Sequence, residues 1–411
     1  MAVLPPINPF RPGAGHKPLY LAGRNVEQET FKRFLGQSPV TQNVIITGLR
    51  GIGKTVLLDD LKPLAQSAQW LWAGNDLSES ASLTEERIAR RIITDLSILL
   101  GPLLPQSETK GVAGFRKDHT ETSVRQLHFD DLWKIYEQAP GLVEDKLKNV
   151  LLAVGQAIKN APISGIVFAY DEAQNLSDHK SNNEYPLSML LDVFSYFQRS
   201  NLGFNFLLVL CGLPTLLPKL NEARTYTERM FHIMKLDKLT ESAAREAILM
   251  PIKISKSQLT FPDGVVDNII NMSGRYPYFI QFICKEVFDS WIVKVVKGRK
   301  PMVAQEEILD KLDEDFFSYR WIRATDRQQE FLHVIASMAN SEGEFSVSDV
   351  VGASRKILKK GFSASHATQI LQALSEKGLI YKSRRASYML AVPLMSRFIK
   401  RQDWDPSTRQ T

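Results

Sequence analysis

Cysteine is scarce in this sequence. Cys211 and Cys284 are the only two among 411 residues, and both stand in apolar surroundings. That excludes a disulfide framework and leads us to expect buried thiols in a reducing, cytoplasmic setting. The seven histidines show no metal-ligand spacing, so a histidine-held metal site is not expected. No run of eighteen apolar residues occurs, and hence neither a transmembrane helix nor a membrane partner is expected. The first twelve residues hold four prolines and lack the apolar core of a signal peptide. Internal repeats and low-complexity tracts are also missing. Excess positive charge is absent from most of the chain. From Arg320 onward fifteen Lys or Arg stand against eight Asp or Glu, so the preceding residues carry −1 of the net +6. A basic terminal segment suggests nucleic acid, although a surplus of this size also occurs on solvated surfaces.

What is present centres on Gly48-Leu49-Arg50-Gly51-Ile52-Gly53-Lys54-Thr55, which fits the phosphate-loop pattern G-x-x-x-x-G-K-[ST]. The flanks supply the context the pattern requires. Asn43–Thr47 is a short β-rich apolar run, and the residues from Thr55 read as a helix until Pro63. Gly48, Gly51 and Gly53 allow backbone N–H groups to surround a phosphate chain, and the helix N-terminus adds its positive dipole end. Lys54 is expected to reach the β- and γ-phosphates, and the Thr55 hydroxyl to ligate Mg²⁺; Val56 completes the nucleotide-binding set.

Further along, Gln69–Ala73 is expected to be a strand. Ser82 with Glu85 fits a capping box for a helix to about Leu100. Residues 101–130 are polar and weakly periodic and read as a loop, either a partner surface or a plain connector. A helix is expected over 141–159, and others around 187–198 and 215–222. Ile166–Tyr170 and Phe206–Cys211 are continuous apolar runs, as strands buried on both faces are. Met230–Leu236 is a shorter strand candidate. Strands alternating with helices predict an α/β fold with a mostly parallel sheet. Thr240 to Leu312 reads as helical throughout. Helices are then expected over 327–338, 350–360 and 365–377, with a hairpin of Leu379–Lys382 and Ser387–Leu390 around Ser383–Ala386: a winged helix-turn-helix.

The second chemical motif is Asp171-Glu172, following the Ile166–Tyr170 run. A carboxylate at the C-terminal end of such a strand lies where α/β sheets bind ligands. Asp171 is expected to hold Mg²⁺ and Glu172 to polarise the attacking water, both in a reaction catalysed by positioning and charge stabilisation.

With Gly23-Arg24-x-x-Glu27, Gly48–Thr55, Asp171-Glu172, Gly212-Leu213-Pro214, Gly274-Arg275-Tyr276-Pro277 and the C-terminal elements in view, the chain resembles the AAA+ and related STAND P-loop ATPases. Within them it resembles the origin-recognition-type initiators, over Gly23 to about Arg401. The resemblance implies a P-loop NTPase core over 1–237, a helical lid over 238–320 and a winged-helix domain over 321–411. It implies that Tyr20 to Arg24 line the adenine pocket, where the alternative for Arg24 is a surface ion pair. It implies a trans-acting arginine at Arg229 or Arg224, of which we favour Arg229, the other reading of each being a structural salt bridge. It implies a nucleotide-sensing lid motif at Arg275 and Pro277, which also read as a simple glycine-proline helix start. Where such ATPases carry a polar sensor at the strand tip, this chain has Cys211 and Gly212. Either water or a neighbour takes over there, or hydrolysis is slow.

On the last helix Gln369 is expected to face outward, where glutamine pairs with adenine edges in a major groove. Lys356, Lys359 and Lys360 before it, and Lys382, Arg384 and Arg385 on the hairpin, are the candidate phosphate contacts of double-stranded DNA. The expected function is an ATP-binding, ATP-hydrolysing, Mg²⁺-dependent switch that binds DNA. The alternative is a STAND-like signalling or complex-assembly ATPase whose winged helix meets protein; in either reading a homo-oligomer or a protein partner is a further expectation.

Overall fold

The structure is a computed structural model describing residues 7–13, 15–101, 128–159, 161–257, 259–296, 305–384 and 386–402. The chain forms two compact units. One comprises Glu27–Thr47 and Leu58–Lys235; the other comprises Met1–Val26, Gly48–Leu57 and Leu236–Thr411.

Among the described residues the first of these holds five strands: β1 (Asn43–Thr47), β2 (Trp70–Ala73), β3 (Gly165–Tyr170), β4 (Phe206–Gly212) and β5 (Phe231–Lys235). They pair in the order β2-β3-β4-β1-β5, all parallel. Residues of β1, β3 and β4 are buried throughout, as their continuous apolar runs require. The edge strand β5 is only partly covered: Phe231 and Met234 are buried, Ile233 and Lys235 exposed. Apolar runs alone do not set a register, so polar detail does. The fully buried Asn43 accepts the Leu208 N–H at 2.9 Å through its side-chain oxygen and pins β1 to β4. Helices Glu85–Leu100, Val143–Ile158 and Pro186–Arg199 bury Leu96, Leu151 and Phe194 in one cluster with Phe168 and Leu208 of the sheet. Phe168 meets Phe194 and Phe206 edge-on at 5.2 and 5.5 Å. Such pairs are worth about 1 kcal/mol beyond their area.

Among its described residues the second unit is helical apart from one hairpin. Glu241–Ile254, Asp263–Ser273, Pro277–Val296 and Gln305–Leu312 come first, then a π-helical turn, Asp313–Ser318. Asp326–Ser337, Val347–Ile357 and Ala364–Glu376 follow, then the antiparallel pair β6 (Ile380–Arg384) and β7 (Ser387–Leu390), and the helix Met395–Arg401. Phe345 pairs with Tyr388 through two backbone hydrogen bonds of 2.9 and 2.8 Å and extends the hairpin. Phe317 stacks on Phe398 at 5.2 Å. Among the described residues no helix is long and apolar enough to cross a membrane.

Local expectations failed in two places and at the end of a third. The helix after the phosphate loop does not stop at Pro63 but runs from Lys54 to Ser67. Pro63 is exposed, so the carbonyl that loses a donor faces solvent, while Leu61 and Ala65 are fully buried and hold the turn. Ser82 does not cap the next helix. Its hydroxyl donates to the Ser78 carbonyl at 2.9 Å, and Thr84 accepts the Arg87 N–H instead. The loop expected over 101–130 lies outside the described residues except at its two ends, and Phe129 already opens a helix, Phe129–Gln138. There Asp131 accepts the His128 N–H at 3.1 Å.

An exposed proline inside a helix costs a hydrogen bond and gains nothing from packing. Pro63→Ala is therefore expected to stabilise the protein by about 1–2 kcal/mol in denaturant unfolding, after allowance for the stiffer unfolded chain of the proline form. A loss of stability would mean that the ring itself is needed.

Candidate functional site

The phosphate loop is built by close approach. A Cβ on Gly48 would lie 2.7 Å from the Leu236 carbonyl oxygen, so only glycine fits. Gly51 and Gly53 have φ of 73° and 89°, the left-handed region that glycine enters without strain. The helix begins as Leu57 N–H donates to the Gly53 carbonyl at 3.0 Å. Lys54, Thr55 and Val56 are half-buried in its first turn, and the Lys54 ammonium donates to the Leu49 carbonyl at 3.1 Å.

Arg24 is not on the surface. It is 5% exposed and donates to the carbonyls of Ile52 and Asp237 at 3.1 and 3.0 Å, tying the loop to the segment that follows β5. Tyr278, which the sequence did not single out, donates its N–H to the Gly51 carbonyl at 3.1 Å from the first turn of Pro277–Val296. Pro277 opens that helix, and Arg275 stands before it with φ of 67°, next to Gly274 at 55°. Two successive left-handed residues turn the chain between helices. The Arg275 carbonyl accepts the Leu239 N–H at 3.0 Å.

The acid pair lies at the end of β3. Asp171 is 4% exposed, and its Oδ1 accepts the Glu172 N–H at 2.8 Å. Glu172 is exposed and has φ of 52°, uncommon for a residue with a side chain. The turn continues as Ala173–Asn175, where the Asn175 side chain donates to the Leu77 carbonyl at 2.7 Å. At the neighbouring tip of β4, Cys211 is fully buried and Gly212 follows.

The two arginine candidates part company. Arg224 is bound in place: it donates to both Asp192 oxygens, to Ser188 Oγ at 2.8 Å and to the Ala223 carbonyl at 2.9 Å. Burial alone would raise the Asp192 carboxyl. Hydrogen bonds from Arg224 and Tyr226, with the Arg224 charge, outweigh burial and hold it below the ordinary carboxylate range. Arg229 is exposed on the short helix Thr227–Met230, and among the described residues its guanidinium has no hydrogen bond or ion pair.

In the C-terminal segment Lys356, Lys359, Lys360, Gln369 and Lys382 are all exposed. The helix carrying Gln369 buries Ala367, Ile370, Leu371 and Leu374, the face its periodicity gave. Arg385 and the Arg384 side chain lie outside what the structure describes.

Comparison with solved structures gives the fold its place. The Walker-type ATPase paby2304 of Pyrococcus abyssi matches with a TM-score of 0.53 at 14% identity, over 92% of this chain and 96% of that one. The ORC2 protein of Aeropyrum pernix in its ADP form matches with a TM-score of 0.52 at 13% identity, over 94% and 95%. At such identities the likeness is one of fold, and the fold is that of the AAA+ P-loop ATPases, as the sequence motifs implied. A family model described as a domain of unknown function, DUF8462, matches residues 314–399. No curated protein sequence matches.

Removing the Arg224 guanidinium is expected to cost about 1–2 kcal/mol of stability, and removing that of Arg229 less than about 0.5. Equal losses in Arg224→Ala and Arg229→Ala would remove the distinction. Because the folded-state pKa of Asp192 is depressed, the stability it contributes is present above its unfolded pKa and lost as pH falls through the folded one. The melting-temperature gap between wild type and Asp192→Asn should therefore narrow as pH drops from about 5 to about 3. A constant gap would contradict the assignment.

Proposed function

We propose that this protein is an ATP-binding and ATP-hydrolysing switch that acts on DNA through its C-terminal segment. The observation that carries the ATPase reading is a complete phosphate loop leaving β1 together with an acid pair leaving β3, in a chain with the AAA+ fold. The residues fit a nucleotide. The glycines at 48, 51 and 53 keep Cβ atoms out of the loop, and a helix N-terminus with a lysine and a hydroxyl follows. Thr55 and Asp171 would hold Mg²⁺, which when bound neutralises charge on the β- and γ-phosphate oxygens.

The chain's own contributions then divide by residue. Lys54 and the loop N–H groups bind and orient the phosphates. Glu172 accepts a hydrogen bond from the attacking water and aims it. Arg229, exposed and free of intramolecular bonds among the described residues, is suited to reach a second copy of the chain. Arg24 shapes the loop, and Arg275 with Pro277 stands at the lid. In this reading the ATPase core is 1–237, the lid 238–320, and the region from 321 a winged helix: three helices and a hairpin in chain order support that assignment. Exposure of Lys356, Lys359, Lys360, Gln369 and Lys382 supports DNA as its partner.

Two experiments test this. Lys54→Ala is expected to abolish ATP hydrolysis through lost binding, while Glu172→Gln keeps ATP bound yet lowers turnover by at least about 10²-fold. Unchanged turnover in Glu172→Gln would remove Glu172 from its role. If about four basic side chains meet phosphates, log K for duplex DNA falls with log[salt] at a slope near −3 to −4, less steeply in Lys359→Ala with Lys360→Ala. Duplex binding that ignores salt, or none, would shift the C-terminal segment to protein contact.

A further inference from the structure

A gap noted in the sequence is filled from an unexpected direction. The tip of β4 carries Cys211 and Gly212 and offers no polar side chain of its own. The polar group there is the carboxamide of Gln174, two residues past Glu172. Its Oε1 accepts the Leu213 N–H at 2.9 Å, directly after β4, and its Nε2 donates to Glu172 Oε2. The partners fix the orientation of the amide: a backbone N–H only donates and a carboxylate only accepts, so oxygen faces Leu213 and nitrogen faces Glu172.

Two further features hold the carboxamide there. A Cβ on Gly212 would lie 2.6 Å from Gln174 Oε1 and 3.2 Å from its backbone nitrogen, so the glycine makes the room that Gln174 occupies. The Lys219 ammonium donates to the Gln174 carbonyl at 2.6 Å, and burial draws its proton affinity down. Gln174 is thus anchored through backbone and side chain, and one N–H of its amide is directed at Glu172. Glu172 is otherwise an exposed side chain on a left-handed residue, with rotamers that the turn alone does not restrain. The hydrogen bond to one carboxylate oxygen leaves the other to meet a water.

We propose that Gln174 is the positioning residue for Glu172: from the turn of the acid pair it supplies the polar group that the strand tip lacks, and it locks the carboxylate to β4. This rests on the ATPase reading above. Gln174 acts through Glu172 and needs no contact with nucleotide. A misplaced base loses turnover, not affinity, and a shift on the scale of 1 Å costs up to about 10²-fold.

The test uses the full chain. Gln174→Ala and Gln174→Met, the second filling the same volume without hydrogen bonds, are expected to lower kcat by roughly 10–100-fold with KM and the calorimetric Kd for Mg·ATP within about twofold of wild type. Backbone amide exchange at Leu213 should quicken in both variants, a readout independent of turnover. Gly212→Ala should lower kcat alone and add less on the Gln174→Ala background, because the 2.6 Å clash with Oε1 is then gone and only the 3.2 Å approach to the backbone nitrogen remains. Wild-type kcat in Gln174→Met, or full additivity of Gly212→Ala with Gln174→Ala, would overturn the proposal while leaving Glu172 in place. Absence of hydrolysis by the wild-type chain would instead overturn the ATPase reading on which it rests.

Discussion

Among the described residues all five strands of the sheet run in one direction, and the placing of the acid pair beside the tip of β4 depends on that. Burial of β1, β3 and β4 on both faces makes them strands, and the Asn43 side chain on Leu208 keeps β1 and β4 from slipping. Parallel pairing then brings their C-terminal ends to a single edge, with Thr47 opposite Gly212. The residue after Thr47 begins the phosphate loop, and the residue after Tyr170 begins the acid pair. Strand ends more than a hundred positions apart in the chain owe their common edge to strand direction.

Around that edge the chain uses close packing where side chains would obstruct. Gly48 yields to the Leu236 carbonyl, and Gly212 yields to Gln174. Elsewhere it uses polar groups, buried or half-buried, as struts. The guanidinium of Arg24 holds loop carbonyls, and Asp178 accepts the Leu187 and Ser188 N–H groups at the start of Pro186–Arg199. A buried arginine committed to carbonyls is costly to remove because it leaves acceptors without donors. This explains how residues outside the phosphate-loop motif constrain it.

Much of this was legible in the sequence. The strand runs, the phosphate loop, the acid pair and the buried face of the helix with Gln369 follow from periodicity and motif spacing, signals that a single sequence carries. What escaped depends on three-dimensional context. Pro63 reads as a stop because propensity is local, yet its exposure lets the helix continue. Thr84 and Ser82 are both credible caps until Ser78 claims one hydroxyl. For Arg24 the sequence leaves a surface ion pair open beside the adenine-pocket reading, since charge gives no hint of the carbonyls that wait for it. Gln174 was overlooked altogether. Its signal was faint: a polar residue two places after the acid pair, and a cysteine and a glycine at a strand tip where a polar side chain was expected.

The account rests on the loop from Gly48 to Thr55 holding a triphosphate. Titration of the folded 411-residue chain with Mg·ATP in a calorimeter tests this most directly. A saturable isotherm with one nucleotide per chain is predicted. A flat trace at millimolar nucleotide, from protein shown to be folded, would contradict it.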